Sequence, residues 1–131
     1  MIMLDTQVCV WWTTDSARLT DGHRRVIEEA ERDGIAASVF SVWEVAMLST
    51  KGRVELNGTL QDWFDRVTSI PTLHLLPATP QILLDSTRLP GAFHPDPADR
   101  IIVATARAYA TNLLTTDRKI LAYEHVRTVA P

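Results

Sequence analysis

The sequence lacks cysteine pairs, long apolar runs and a basic leader. It has 131 residues and one cysteine, Cys9, so no internal disulfide can form and we expect a reducing compartment, the cytoplasm. The longest purely apolar run is the segment 8–12, whereas a membrane span needs about 20 apolar residues. Residues 1–5 contain no basic residue and end in an acid. We therefore expect neither a membrane span nor a secretory signal.

Strong charge of one sign and glycine-rich loops are lacking as well. The net charge of −3 argues against a broad electrostatic grip on nucleic acid, although it does not exclude a nucleic-acid enzyme with acids concentrated in its site. No two of the five glycines have the spacing of a dinucleotide-binding or P-loop motif. The single cysteine and the scattered histidines do not have the spacing of zinc ligands.

Short apolar segments alternate with amphipathic segments along the whole chain. The apolar segments predict strands at 1–4, 35–37, 73–76, 112–115 and 126–129. The amphipathic segments predict helices at 21–33, 39–50, 59–69, 79–89 and 96–110, with one or two helical turns at 117–122. This order predicts a single α/β domain over 1–131, with a mostly parallel sheet and helices on both faces. Sites in such sheets lie at the carboxyl ends of the strands.

Four acids occupy positions that point to this edge. Asp5 follows the first strand, and Asp117 follows the strand at 112–115. Glu44 lies in the apolar segment 42–48, and Asp99 comes three residues after the predicted N-cap Asp96. Each acid alone also has a simpler explanation, as a cap, a solvated polar stripe or a partner of a helix dipole. Together they predict a shared site, because parallel strand ends converge.

Carboxylates gathered in one pocket repel one another and raise their own pKa values. A hard divalent cation such as Mg²⁺ or Mn²⁺ resolves that conflict, since both ions prefer oxygen ligands. Without a nucleotide-binding loop, such a site suits the hydrolysis of phosphodiesters by metal-activated water.

The order and spacing of several segments carry a family resemblance. The segments are Met3–Thr6, Ser41–Glu44, Lys51–Arg53, Phe93–Arg100 and Leu114–Asp117. With them the sequence resembles the PIN-domain ribonucleases and is similar to the VapC toxins of VapBC toxin–antitoxin pairs. One departure is Gln7, where close relatives often carry histidine.

The resemblance implies a three-layer α/β/α sandwich with a central parallel sheet of four to five strands. It implies that four acids bind Mg²⁺ or Mn²⁺ and cut RNA, and that neighbouring hydroxyl residues order the site. The acids are Asp5, Glu44, Asp99 and Asp117, and the supporting residues are Thr6, Ser41, Thr115 and Thr116. It also implies a VapB-type antitoxin as the partner, with RNA as the substrate.

Two further groups of residues are candidates for contacts. Basic residues beside the acids, and one loop histidine, are candidates for RNA contacts, with ordinary surface placement as the alternative: Arg100, Arg118, Lys119 and His94. Large apolar residues on the helices 39–50 and 59–69 exceed what one small domain is expected to bury, so they predict an antitoxin groove. These are Trp43, Met47, Trp63 and Phe64, and the alternatives are the monomer core or the interface of a homodimer, which we also expect.

Two other function classes compete with the nuclease. A haloacid-dehalogenase-like phosphatase also places an aspartate after its first strand, but it needs a second acid two residues later, where this chain has Gln7. A PIN-like module that only binds a partner would not need all four acids.

Overall fold

The computed structural model describes residues 1–129, so the last two residues of the predicted domain, Ala130 and Pro131, lie outside the described part. The strands are β1 Ile2–Leu4, β2 Ile35–Ser38, β3 Leu73–Leu76, β4 Asn112–Leu114 and β5 Thr128–Val129. The helices are α1 Thr6–Thr13, α2 Asp21–Ala30, α3 Val39–Thr50, α4 Leu60–Thr68, α5 Pro80–Ser86, α6 Pro97–Ala108 and α7 Arg118–Leu121.

The strands form one parallel sheet in the order β3-β2-β1-β4-β5. The predicted α/β class, with a parallel sheet of four to five strands, is confirmed. The chain leaves β1 toward β2 and β3, and then crosses to the other side of β1 for β4 and β5. The connections therefore diverge beside β1, which opens a crevice at the carboxyl ends of the central strands.

Alternate residues of the strands face two separate cores. Ile2 and Leu4 of β1 face one core together with helices α1, α2 and α4. Met3 faces the other core, which α5, α6 and α7 cover. Residues 1–4 are thus apolar without alternation because both faces of β1 are covered, as is usual for a parallel strand. Within residues 1–129, no helix has both the length and the apolar character that crossing a membrane requires.

Helix α1 is an element that the sequence pattern does not predict. Val8, Cys9 and Val10 are buried, and Trp11 and Trp12 pack partly against the same core. Because apolar residues cover so much of its surface, the helix shows no polar face that a periodicity of 3.6 residues would reveal. Its start is nevertheless encoded, since the Asp5 side chain accepts a hydrogen bond from the backbone N–H of Val8 at 2.9 Å.

The position of Trp63 on helix α4 differs from the predicted antitoxin groove. Trp63 is only 1% exposed, and its Nε1 donates a hydrogen bond to Thr13 Oγ1 at 2.9 Å. The expectation that Trp63 belongs to a partner groove is wrong, because this side chain joins α4 to α1 inside the monomer. Phe64, the next residue, is 38% exposed.

We expect Trp63→Ala to lower the free energy of unfolding by about 3–5 kcal/mol, because it leaves a cavity and removes the hydrogen bond to Thr13. Trp43, which is 56% exposed, provides the matched control. Trp43→Ala should change stability by less than about 1 kcal/mol in the isolated protein. Urea unfolding followed by circular dichroism measures both, and equal losses in the two variants would contradict this assignment of the core.

Candidate active site

The four acids reach the carboxyl edge of the sheet from four different elements. Leu4 of β1 pairs with Ala37 of β2 on one side and with Leu114 of β4 on the other, so Asp5 follows the central strand of the five. Asp117 follows β4 and caps α7. Glu44 lies on α3, which begins directly after β2, and Asp99 lies in the first turn of α6. The charges of these acids act on one another, as the pKa shifts below show.

Asp5 is the most deeply buried of the four acids. The residue is only 6% exposed, and burial raises the pKa of its carboxyl to about 6. Hydrogen bonds from the Thr115 hydroxyl and from the Val8 N–H lower this pKa, whereas the charges of Asp117 and Glu44 raise it further. Both carboxylate oxygens have donors, since Val8 N–H reaches Oδ1 and the Thr115 hydroxyl reaches Oδ2.

Threonine and serine hydroxyls link the acids to one another. Thr115 Oγ1 donates to Asp5 and accepts a hydrogen bond from the backbone N–H of Asp117 at 3.0 Å. The hydroxyl oxygens of Thr6 and Ser41 are 2.8 Å apart, which joins α1 to α3 beside the site. Of the two threonines before Asp117, the buried Thr115 is at the site, whereas Thr116 is exposed.

Glu44 and Asp99 complete the group from α3 and α6. Burial raises the pKa of Glu44, the Thr6 hydroxyl lowers it, and the charge of Asp96 raises it. Burial also raises the pKa of Asp99, to about 7, and the charges of Asp96, Asp117, Glu44 and Asp5 add to that shift. Burial and neighbouring negative charges therefore both disfavour the ionised forms of Glu44 and Asp99.

The donor set fits a hard divalent cation. The site offers carboxylate and hydroxyl oxygens, which Mg²⁺ and Mn²⁺ prefer. In the conformation of residues 1–129, no three His, Cys, Asp or Glu side chains are already arranged to enclose an ion. Mg²⁺ usually keeps several waters in protein sites, so it does not need every acid as a direct ligand.

The candidate RNA contacts divide into two pairs. Arg118 and Lys119 are exposed at the start of α7, next to Asp117. Arg100 instead directs its guanidinium at backbone carbonyls, and His94 Nε2 lies 3.1 Å from Asp99 Oδ2. The first pair is free to meet a substrate, whereas the second pair is built into the protein.

The structure also contains a cavity that the sequence pattern does not predict. It has a volume of about 500 Å³ and lies between α1 and the segment after α3, and its lining includes Gln7, Trp11, Arg18, Arg53 and Asn57. Gln7, which follows Asp5 by two residues in the sequence, is one of its lining residues. None of the four acids lines this cavity. One wall of the cavity is α1, which the sequence pattern does not predict, so the cavity could not be predicted either.

The sequence of this chain matches one family of known proteins. The sequence pattern of the PIN domain matches residues 2–126. The chain is similar to the protein named Ribonuclease VapC22 of Mycobacterium tuberculosis, with 31% identity over 128 residues that cover 98% of this chain and 95% of that protein.

Solved structures share the fold. One is a chain of FitAcB from Neisseria gonorrhoeae, with a TM-score of 0.69 and 19% identity, covering 99% of this chain and 97% of that chain. Another is a chain of VapBC2 from Rickettsia felis bound to a DNA fragment from their promoter, with a TM-score of 0.68, 18% identity and 98% coverage of both chains. The three-layer sandwich predicted from the sequence is therefore confirmed.

The raised pKa of Asp99 predicts how stability depends on pH. The folded protein holds a proton on Asp99 up to about pH 7, whereas the unfolded chain releases it near the ordinary value of 3.8. This group therefore stabilises the fold fully below about pH 4, and its contribution falls as the pH rises toward 7. Asp99→Asn should remove this part of the loss of stability with rising pH. At pH 8 in chelator, its Tm should therefore be several degrees higher than that of the parent.

Asp33→Asn, at an exposed carboxylate in the turn after α2, should keep the pH profile of the parent. Thermal unfolding between pH 4.5 and 8 measures the three profiles. Identical slopes of Tm against pH in the parent and in Asp99→Asn would show that ionisation of Asp99 does not destabilise the folded protein.

Proposed function

The chain belongs to the PIN-domain family, and from this premise we propose that it is a Mg²⁺- or Mn²⁺-dependent endoribonuclease, the toxin of a toxin–antitoxin pair. The observation that carries the proposal is the set of acids with raised pKa values at the carboxyl edge of the sheet. The similarity to a protein named as a VapC ribonuclease supports RNA as the substrate. Because that substrate is cellular RNA, we place the activity in the cytoplasm.

Asp5, Glu44, Asp99 and Asp117 would hold the metal ion through their carboxylate oxygens. When bound, such an ion activates a water for attack and neutralises charge on the phosphate. The protein fixes its acids in advance, since the Thr115 hydroxyl and the Val8 N–H hold the two oxygens of Asp5.

Arg118 and Lys119 supply the positive charge that an RNA backbone requires. Both are exposed, and they stand at the start of α7 directly after Asp117. Phosphate contacts of this kind place a strand over the acids without reading its sequence. Single-stranded loops are the RNA segments whose backbone and bases are most accessible to such an open edge.

Asp5→Asn and Asp99→Asn should each lower the rate of RNA cleavage by roughly 100-fold or more, because loss of a ligand removes several kcal/mol of transition-state stabilisation. Asp33→Asn should keep the parent rate. A fluorescent RNA substrate with Mg²⁺ or Mn²⁺ measures the rates, with chelator as the blank. Cleavage by either site variant at the parent rate would show that these acids do not form the active site.

The same assay separates the two competing functions. A haloacid-dehalogenase-like phosphatase would hydrolyse a small phosphate ester and leave RNA intact, and its second acid would have to come from the position of Gln7. A module that only binds a partner would act on neither substrate. Such a module would gain nothing from Asp5 and Asp99, whose burial raises the pKa of each carboxyl.

We further propose that the partner is an antitoxin that covers the exposed apolar residues of α3 and α4. Trp43 is 56% exposed and Phe64 is 38% exposed, while Met47 is half-buried. Trp43 stacks on Phe40 with ring centroids 5.1 Å apart, so it is held outward as a firm anchor. A chain of a toxin–antitoxin complex from Klebsiella pneumoniae shares this fold, which supports a partner of that kind.

Trp43→Ala combined with Met47→Ala should weaken binding of the cognate antitoxin by roughly 10-fold or more, since tryptophans commonly act as hot spots of interfaces. The Tm of the isolated variant should stay close to that of the parent. Isothermal titration calorimetry measures the affinity, and size-exclusion chromatography with light scattering measures the mass. Unchanged antitoxin affinity would refute this surface, and a change from dimer to monomer would assign it to a homodimer instead.

A further inference from the structure

Arg100 is a charged side chain that the proposed chemistry does not use. It directly follows Asp99 on α6, but its guanidinium lies on a different side of the helix and points at the segment 86–94. Its Nε donates to the Ser86 carbonyl at 2.7 Å, and its Nη1 donates to the Phe93 carbonyl at 3.0 Å and to the His94 carbonyl at 3.3 Å. One side chain therefore fixes both ends of this segment.

The contact with Ser86 explains where α5 ends. The sequence pattern predicts a helix to residue 89, whereas α5 ends at Ser86. The last carbonyls of a helix lack partners within the helix, and a cation near them is favourable. Arg100 supplies such a cation, so the chain turns away from α5 at this point and runs back toward α6.

The other end of the segment carries a histidine that lies against the site. His94 Nε2 is 3.1 Å from Asp99 Oδ2, and this nitrogen is shielded from solvent without a well-aligned hydrogen-bond partner among residues 1–129. The ring of His94 contacts that of Phe93, and Phe93 contacts Tyr123, with centroids 4.5 Å and 4.6 Å apart. Phe93, which itself contacts Tyr123, therefore packs against the His94 ring and limits its movement.

A second anchor fixes the start of this loop. The Tyr123 hydroxyl donates to the carbonyl of Pro90, four residues before His94. Arg100 donates to the carbonyls of Phe93 and His94, so hydrogen bonds hold the chain both at Pro90 and at residues 93–94. A ring held this firmly limits the positions that the neighbouring carboxylate can take.

We propose that Arg100 is a positioning residue that holds His94 against Asp99 and thereby sets the Asp99 carboxylate toward the other acids. The inference rests on the proposed metal-dependent function, because its consequence is the affinity of the site for a cation. Side chains that orient ligands in this way typically change metal affinity by about 10–100-fold when they are altered.

Arg100→Lys tests the first link. Lysine keeps the positive charge but is a single point donor, so it cannot reach the three carbonyls together. We expect the ring ¹⁵N resonances of His94 to shift in this variant without any metal present. Arg107→Lys is the matched control, because Arg107 lies on the same helix and also donates to a backbone carbonyl, that of His125, away from the acids. It should leave the His94 resonances unchanged.

His94→Gln tests the second link and leaves in place the backbone carbonyls that Arg100 contacts. Both His94→Gln and Arg100→Lys should lower the affinity for Mn²⁺, measured by isothermal titration calorimetry, by roughly 10-fold. The double variant should lose little more than either single variant, because Arg100 acts through His94. Arg107→Lys should bind Mn²⁺ as the parent does.

The outcomes separate this inference from the proposed function. Unshifted His94 resonances in Arg100→Lys, unchanged Mn²⁺ affinity in both single variants, or fully additive losses would each overturn the positioning role. A parent protein that binds no Mn²⁺ would instead overturn the proposed function, while a shifted His94 would still show that Arg100 holds the loop. If Arg100→Lys fails to fold, a normal Mn²⁺ affinity of His94→Gln would be enough to reject the inference.

Discussion

The backbone and the side chain of Asp5 are both held by hydrogen bonds, so its carboxylate cannot move away from the other acids of the site. Its backbone N–H donates to the carbonyl of Leu114, which ties it to β4, and its side chain caps α1. The residue is thus fixed by the central strand pair and by the first helix at once. The other three acids reach the same edge of the sheet. The order of strands and helices therefore brings the four carboxylates to a place where they repel one another.

The surroundings offset this repulsion with neutral donors rather than with paired cations. Hydroxyls of Thr115 and Thr6 lower the pKa values of Asp5 and Glu44, and no Lys or Arg among residues 1–129 forms an ion pair with any of the four acids. Arg100, which directly follows Asp99, donates to backbone carbonyls instead. Within residues 1–129, therefore, no Lys or Arg side chain neutralises the charge of these acids through an ion pair.

Local sequence signals predicted the elements that depend on local chemistry. The N-caps Asp96 and Asp117, and the buried parallel strands, follow directly from residue type and order. Helix α1 could not be predicted, because its burial removes the polar face that reveals a helix. The directions of Trp63 and Arg100 could not be predicted either, since both depend on partners distant in sequence, Thr13 for the first and Ser86 for the second.

A crystal grown with Mn²⁺ tests whether the four acids bind a cation together. We expect one or two anomalous scattering peaks within bonding distance of carboxylate oxygens drawn from Asp5, Glu44, Asp99 and Asp117. We also expect these peaks to disappear from crystals of Asp5→Asn grown in the same way. Manganese bound elsewhere on the protein, with no peak among these acids, would show that they do not form a cation site.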